Sequence, residues 1–204
     1  MALGEEIENR SREINTDSYS MSIGELMSLY NDGELDIHPE FQRVFRWTIL
    51  QKSKLIESIL LGIPIPSIFV SQRDDGVWDV IDGVQRLSTI FEFAGCLKDE
   101  NGKYCDPIQL IGTDYLPSLE GKFWNSPNPS ESLDQPHRMF IKRNKIDIKI
   151  VKKESDANVK FDLFQRINTL GSILSDQEVR NCLLVMSDRF FLSGLTDWGT
   201  ITLS

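Results

Sequence analysis

Between Val77 and Gly95 the chain reads Val-Trp-Asp-Val-Ile-Asp-Gly-Val-Gln-Arg-Leu-Ser-Thr-Ile-Phe-Glu-Phe-Ala-Gly, and this stretch constrains the fold more tightly than any other. Val77, Trp78, Val80 and Ile81 favour a strand, and Asp82-Gly83 is a turn dipeptide. Leu87, Ile90, Phe91 and Ala94 then recur at helical spacing up to Gly95. A buried strand therefore passes directly into a helix. Asp82 is placed to cap that helix, and Gly83 permits close backbone approach. The unpaired N–H groups of the first turn, with Arg86 beside them, suit an anion such as phosphate. A plain turn followed by solvated first-turn residues accounts for the same letters equally well.

With 204 residues and 40% apolar content, the chain can bury about 70% of its unfolded surface. One full domain, or one with a small appendage, needs neither disulfide nor metal. Cys96, Cys105 and Cys182 are odd in number and form no C-x-x-C pair, which fits a reducing cytoplasm. The N-terminus is acidic with no apolar run behind it, so neither a signal peptide nor a membrane span is expected, and the localisation read from the sequence is cytoplasmic.

The net charge of -9 argues against a protein that coats nucleic acid uniformly, since such affinity comes mainly from Lys and Arg neutralising phosphates. One basic run stands out: Arg138, Lys142, Arg143, Lys145, Lys149, Lys152 and Lys153, interrupted by Asp147. It reads either as a nucleic-acid contact or as an edge strand guarded by lysines.

In chain order, residues 1–18 form a flexible lead-in. Ser22 and Glu25 make a capping box for a short helix ended by Gly33, and Thr48 with Gln51 make a second, for a helix with Leu55, Ile56, Ile59 and Leu60 inward and its stop at Gly62. Residues 67–71 and 77–81 form a hairpin around Asp74-Asp75-Gly76. A turn at Asn101-Gly102, a short strand over 108–111 and a loop over 125–135 follow. Ile146, Ile148 and Ile150 alternate with polar residues as in a half-buried strand. Val159, Leu163, Phe164 and Ile167 mark a helix, and Ser175 with Glu178 cap another.

Several motifs taken together carry a resemblance: Phe41-Gln42-Arg43 followed by Trp47; Leu55-Ile56-Glu57-Ser58-Ile59-Leu60-Leu61-Gly62-Ile63-Pro64-Ile65-Pro66; Ile81-Asp82-Gly83-Val84-Gln85-Arg86-Leu87; and Phe164-Gln165-Arg166-Ile167-Asn168-Thr169 with Leu174 to Arg180. From about Ser22 to Leu184 the chain resembles the N-terminal domain of GmrSD-type, modification-dependent restriction proteins. Val84 stands where the family's Asp-Gly-Gln-Gln-Arg motif has its first glutamine, and Leu170 where a glycine is common. The first departure removes a polar group and bears on hydrolysis more than on binding.

The resemblance implies an α+β, ParB/sulfiredoxin-like domain over residues 19–154, a small mixed sheet with flanking helices. A helical extension over 155–204 follows, with the natural chain expected to continue into a further domain. It implies a nucleoside-triphosphate site taking NTP with Mg²⁺, hydrolysis in some members, and control of a nuclease domain or partner protein. Carried onto this sequence, the nucleotide-binding residues are Gln42, Arg43, Asp82, Gly83, Gln85, Arg86, Arg166 and Asn168, with Asp82, Gln85 and Arg86 in the catalytic role. As a first-turn residue Arg86 is not expected to fill the core. The competing reading is a DNA-binding or modification-sensing module without NTPase activity, in which Arg46, Lys149, Lys152 and Lys153 contact phosphates and Trp47 reads a modified site. Neither His38 nor His137 sits in a recognisable ligand cluster, so no protein metal site and no nuclease activity are expected of this chain alone.

Overall fold

A computed structural model of the chain describes residues 3–4, 16–37 and 47–152, all within a first compact unit, Met1–Lys160. The expected helical extension after residue 155 lies outside the described residues. Among these, five strands and four α-helices are present: β1 (Thr16–Ser22), α1 (Ile23–Asn31), β2 (Leu35–Asp36), α2 (Ile49–Leu60), β3 (Ile68–Gln72), β4 (Trp78–Asp82), α3 (Val84–Ala94), α4 (Gln135–Arg143) and β5 (Lys145–Val151). The sheet has the order β1-β5-β3-β4-β2. β1 with β5 and β3 with β4 are antiparallel, whereas β3 with β5 and β2 with β4 are parallel, so the α+β expectation of a mixed sheet holds.

The period of two in β5 sets the inner face. Ile146, Ile148 and Ile150 are buried, and the register aligns Ile148 with Ile68 and Ile150 with Val70 on β3, then Val70 with Val80 on β4. Each helix adds to the same core: Ile23 and Leu26 from α1, Ile56 and Ile59 from α2, Leu87, Ile90 and Phe91 from α3, and Ile141 from α4. The Tyr30 ring stacks on Phe91 with centroids 4.7 Å apart, and the Tyr30 hydroxyl accepts the backbone N–H of Lys98, which fixes the far end of α3 against α1. Both expected capping boxes form, Ser22 with Glu25 on α1 and Thr48 with Gln51 on α2. No described helix is long and apolar enough to cross a membrane.

Four local readings need correction. The supposed lead-in of residues 1–18 runs into β1, which begins at Thr16 and pairs with β5 far along the chain; Thr-Asp-Ser-Tyr-Ser carries too few apolar residues to announce a strand. Residues 108–111 are irregular, and Leu110 is held by backbone bonds with Lys122 and Gly121. The loop expected over 125–135 contains a short 3-10 helix, Pro129–Glu131, and leads into α4, which the sequence reading passed over. The signal was present, since Asp134 caps α4 at the His137 N–H and a proline follows in its first turn. Finally, β5 is interior to the sheet, so its lysines guard no edge.

The irregular stretch after α3 is tied to the helices by one carboxylate. Glu57 on α2 is 5% exposed, and its Oε1 accepts the Thr113 hydroxyl and the N–H groups of Tyr115 and Leu116, both at 3.0 Å. Nearby, the buried Ser53 hydroxyl accepts the N–H of Ile111 at 3.0 Å. Glu57→Ala leaves the N–H groups of Tyr115 and Leu116 without this acceptor and the Thr113 hydroxyl with only the Leu116 carbonyl, and it should cost about 3 kcal/mol in urea unfolding. Glu57→Gln keeps the accepting oxygen and should cost less than half as much. Equal losses in the two variants would mean that the charge matters and the three-way acceptor does not.

Candidate functional site

The strand-to-helix turn sits at the end of β4, and three features shape it. First, the register between β3 and β4 shifts after Phe69, which pairs with Asp82 while Val70 pairs with Val80. Ile81 is thus the extra residue of a bulge, a device that bends a strand and re-aims its last side chains. Second, Gly83 has φ 96°, in the left-handed region, and a Cβ on it would lie 2.2 Å from Ile68 Cδ1. Only glycine satisfies both the dihedral and the packing. Third, Gly83 itself is the N-cap of α3, so the cap residue has no side chain to bond the first-turn N–H groups. The sequence reading assigned that cap to Asp82. The left-handed turn carries the Asp82 carboxylate away from the first-turn N–H groups, and it accepts from Arg86 instead.

Arg86 is turned back into the protein. Its Nη2 donates to Asp82 Oδ2 at 2.7 Å, and Nη1 donates to the carbonyls of Pro66 and Ser67, the latter at 3.1 Å. Its side chain is 12% exposed. The guanidinium therefore lashes the start of α3 to the segment leading into β3, the segment that Pro64 and Pro66 keep out of helix. With Asp82 held and α3 uncapped, a carboxylate and a row of backbone donors are presented together, a combination suited to phosphate oxygens and a hydrated divalent cation.

Gln85, also in the first turn, accepts the backbone N–H of Trp47 through Oε1 at 3.2 Å. The connection leading into α2 is thereby pinned to the same terminus. Trp47 is half-buried and packs against the core, with Val84 also partly buried against it. Gln42, Arg43, Arg46, Lys153, Arg166 and Asn168 lie outside the described residues. Asp82, Gly83, Gln85 and Arg86 are brought together at the turn as the sequence motif implies.

The basic run is divided between two elements. Arg138, Lys142 and Arg143 belong to α4, where Arg138 donates to the Trp124 carbonyl and to Asn125. Lys145 and Lys149 project from the outer face of β5. Lys149 donates to the Ser18 hydroxyl at 2.8 Å, and Lys152 pairs with Asp17 at 3.3 Å. Both sites are open to solvent, where such contacts exchange readily with other partners.

Residues 23–185 match the family model described as "GmrSD restriction endonuclease, N-terminal domain". The chain belongs to this family. Its membership ties the chain to restriction systems, and the match spans α1 through β5 and beyond. No curated protein and no solved structure matches the chain.

Within this GmrSD N-terminal domain, the sequence reading missed a set of polar residues next to the turn. Gln85 and Glu92 each lie three and four residues from the adjacent pair Ser88 and Thr89 along α3, and the four line one pocket with Lys52 of α2. The signal was legible as a polar stripe at helical spacing on an otherwise apolar helix.

The placement of Arg86 yields a direct test. Arg86→Ala removes the shared donor of two carbonyls and a partly buried carboxylate, so it should lower the unfolding free energy by about 1.5 to 3 kcal/mol, and Arg86→Lys should restore only part of this because the fork is lost. This revises the expectation that a first-turn arginine leaves the fold untouched. Urea denaturation of the three proteins decides it, and unchanged midpoints would mean that the lash contributes nothing.

Proposed function

We propose that the chain is the nucleotide-binding regulatory domain of a modification-dependent restriction or anti-phage defence system, with a ParB/sulfiredoxin-like fold. The observation that carries this reading is the uncapped N-terminus of α3 at the Asp82-Gly83 turn, where family motif and local geometry coincide. The phosphates of an NTP would lie against the N–H groups of Val84, Gln85 and Arg86. Asp82 would hold Mg²⁺ through water, with Arg86 keeping that carboxylate in place. The metal would supply neutralisation of phosphate charge. Arg43 is four residues from Trp47, so at most about 14 Å of chain separates the two, and the Trp47 backbone is bonded to the Gln85 side chain. With Val84 in place of glutamine, binding is the primary activity and hydrolysis the secondary one. The bound state would be transmitted to a nuclease domain or partner protein.

The second reading, DNA contact by Arg46, Trp47, Lys149, Lys152 and Lys153, draws on the outer face of β1 and β5, where Ser18, Ser20 and Ser22 lie opposite Lys149, Asp147 and Lys145. One pair of titrations separates the two. Calorimetry with each of the four NTPs and Mg²⁺ should give saturable binding, weakened about tenfold or more in Arg43→Ala, the loss of one charged hydrogen bond. DNA binding should be weak and steeply salt-dependent, with a flatter slope when Lys149, Lys152 and Lys153 are changed to glutamine. No heat with any NTP, beside saturable DNA binding, would replace the first reading with the second.

A further inference from the structure

The polar stripe of α3 lines a cavity of about 220 Å³ that begins at Gln85 and is closed by Lys52 of α2 and by Leu97 and Cys105. Two observations mark it as built for a ligand. Ser88 and Thr89, only 6% and 1% exposed, are among its lining residues, and their buried hydroxyls have no hydrogen-bond partner among the protein's own groups. A buried hydroxyl left in that condition is destabilising. Opposite them Lys52 and Glu92 form an ion pair whose side chains are 16% and 20% exposed, an arrangement that offers one donor group and one acceptor group side by side.

The chemistry of the lining selects among ligands. The volume is below the about 300 to 1,000 Å³ of pockets for larger ligands, so it holds a single ring. Among the described residues that line it none is aromatic, so they offer no stacking surface of the kind a nucleobase uses. Glu92 and Asp106 outnumber Lys52, which disfavours a phosphate inside. Adjacent hydroxyls on a small saturated ring answer all three conditions, because each both donates and accepts. A carboxylate accepts their hydrogen bonds, as acidic residues do at the ribose of dinucleotides, while an ammonium and the Ser88 and Thr89 hydroxyls complete the remaining bonds.

We propose that this cavity binds the vicinal hydroxyls of a pentose, and that it holds the ribose of the nucleotide whose phosphates lie on the α3 terminus. The second half rests on the function proposed above; the first does not. Gln85 belongs both to the first turn and to the cavity, and one helical turn, about 5.4 Å, separates it from Ser88 and Thr89. The domain would thereby distinguish ribonucleotides from deoxyribonucleotides, which are abundant wherever DNA is being copied or degraded.

The test uses the full chain and titrates each of the four NTPs, its 2′-deoxy counterpart and inorganic triphosphate, all with Mg²⁺, into wild-type, Ser88→Ala, Thr89→Val and Glu92→Gln proteins. The expected result is a tenfold or greater preference for the ribonucleotide, collapsing toward unity in Thr89→Val and Glu92→Gln, with inorganic triphosphate bound equally by all four proteins. Thermal melts without ligand should show Ser88→Ala and Thr89→Val as stable as wild-type or more so, since each removes an unpaired buried hydroxyl. Equal affinity for ribo- and deoxyribonucleotides in wild-type would overturn the cavity's role and leave the phosphate site standing. If no triphosphate binds, the phosphate reading fails, and the four ribonucleosides against their 2′-deoxy forms at millimolar concentration then decide the cavity alone. A ribonucleoside preference lost in Thr89→Val sustains it, and its absence overturns it.

Discussion

At Gly83 the backbone leaves β4 and starts α3 with φ 96°, and Ile68 Cδ1 occupies the space a side chain would need. The position has no tolerance in either direction. A residue with a Cβ would strain the dihedral and push β3 away from the turn, and a right-handed conformation would aim α3 elsewhere than over the sheet. Because Leu87, Ile90 and Phe91 reach the core only when α3 lies where it does, their burial depends on this one turn. The same conformation makes Gly83 the N-cap in place of Asp82, so the residue that starts the helix offers no side chain to its first-turn N–H groups.

Charged groups in this domain fall into two kinds. Arg86 with Asp82, Arg73 with Asp36 and Asp79, and Glu57 with its three donors each join segments distant in sequence, and each is at least partly withdrawn from water. They specify which strand and loop ends meet, since an unpaired partner would carry a desolvation cost. Arg73, for example, joins β2 to the hairpin of β3 and β4, where β2 itself contributes only two residues to the ladder. The lysines of β5 and the acids facing them are of the other kind, solvated and weakly paired, and they shape the surface potential without fixing the fold.

The cavity beside α3 belongs to neither kind. Its ion pair is sheltered, yet two hydroxyls in it have no partner, in a domain whose other buried polar side chains, Ser53, Glu57 and Thr113, are bonded. Satisfaction of the other buried polar side chains among the described residues gives the exception its meaning.

The sequence by itself determined the local elements whose stabilising contacts are local. The capping boxes at Ser22 and Thr48, the hairpin at Asp74-Asp75-Gly76, the alternation of Ile146, Ile148 and Ile150, and the grouping of Asp82, Gly83, Gln85 and Arg86 are all set by neighbours within a few residues. Tertiary structure decided whatever depends on distant partners. β1 is a strand because β5 supplies its ladder, not because its serines favour one. Arg86 faces Pro66 and Ser67 because β3 arrives beside α3. The stripe of Gln85, Ser88, Thr89 and Glu92 lines a cavity because α2 brings Lys52 against it. Periodicity states which residues share a face; what the face meets is fixed only when the chain closes the distances between elements, and there the desolvation of polar groups, not their local spacing, selects the partner.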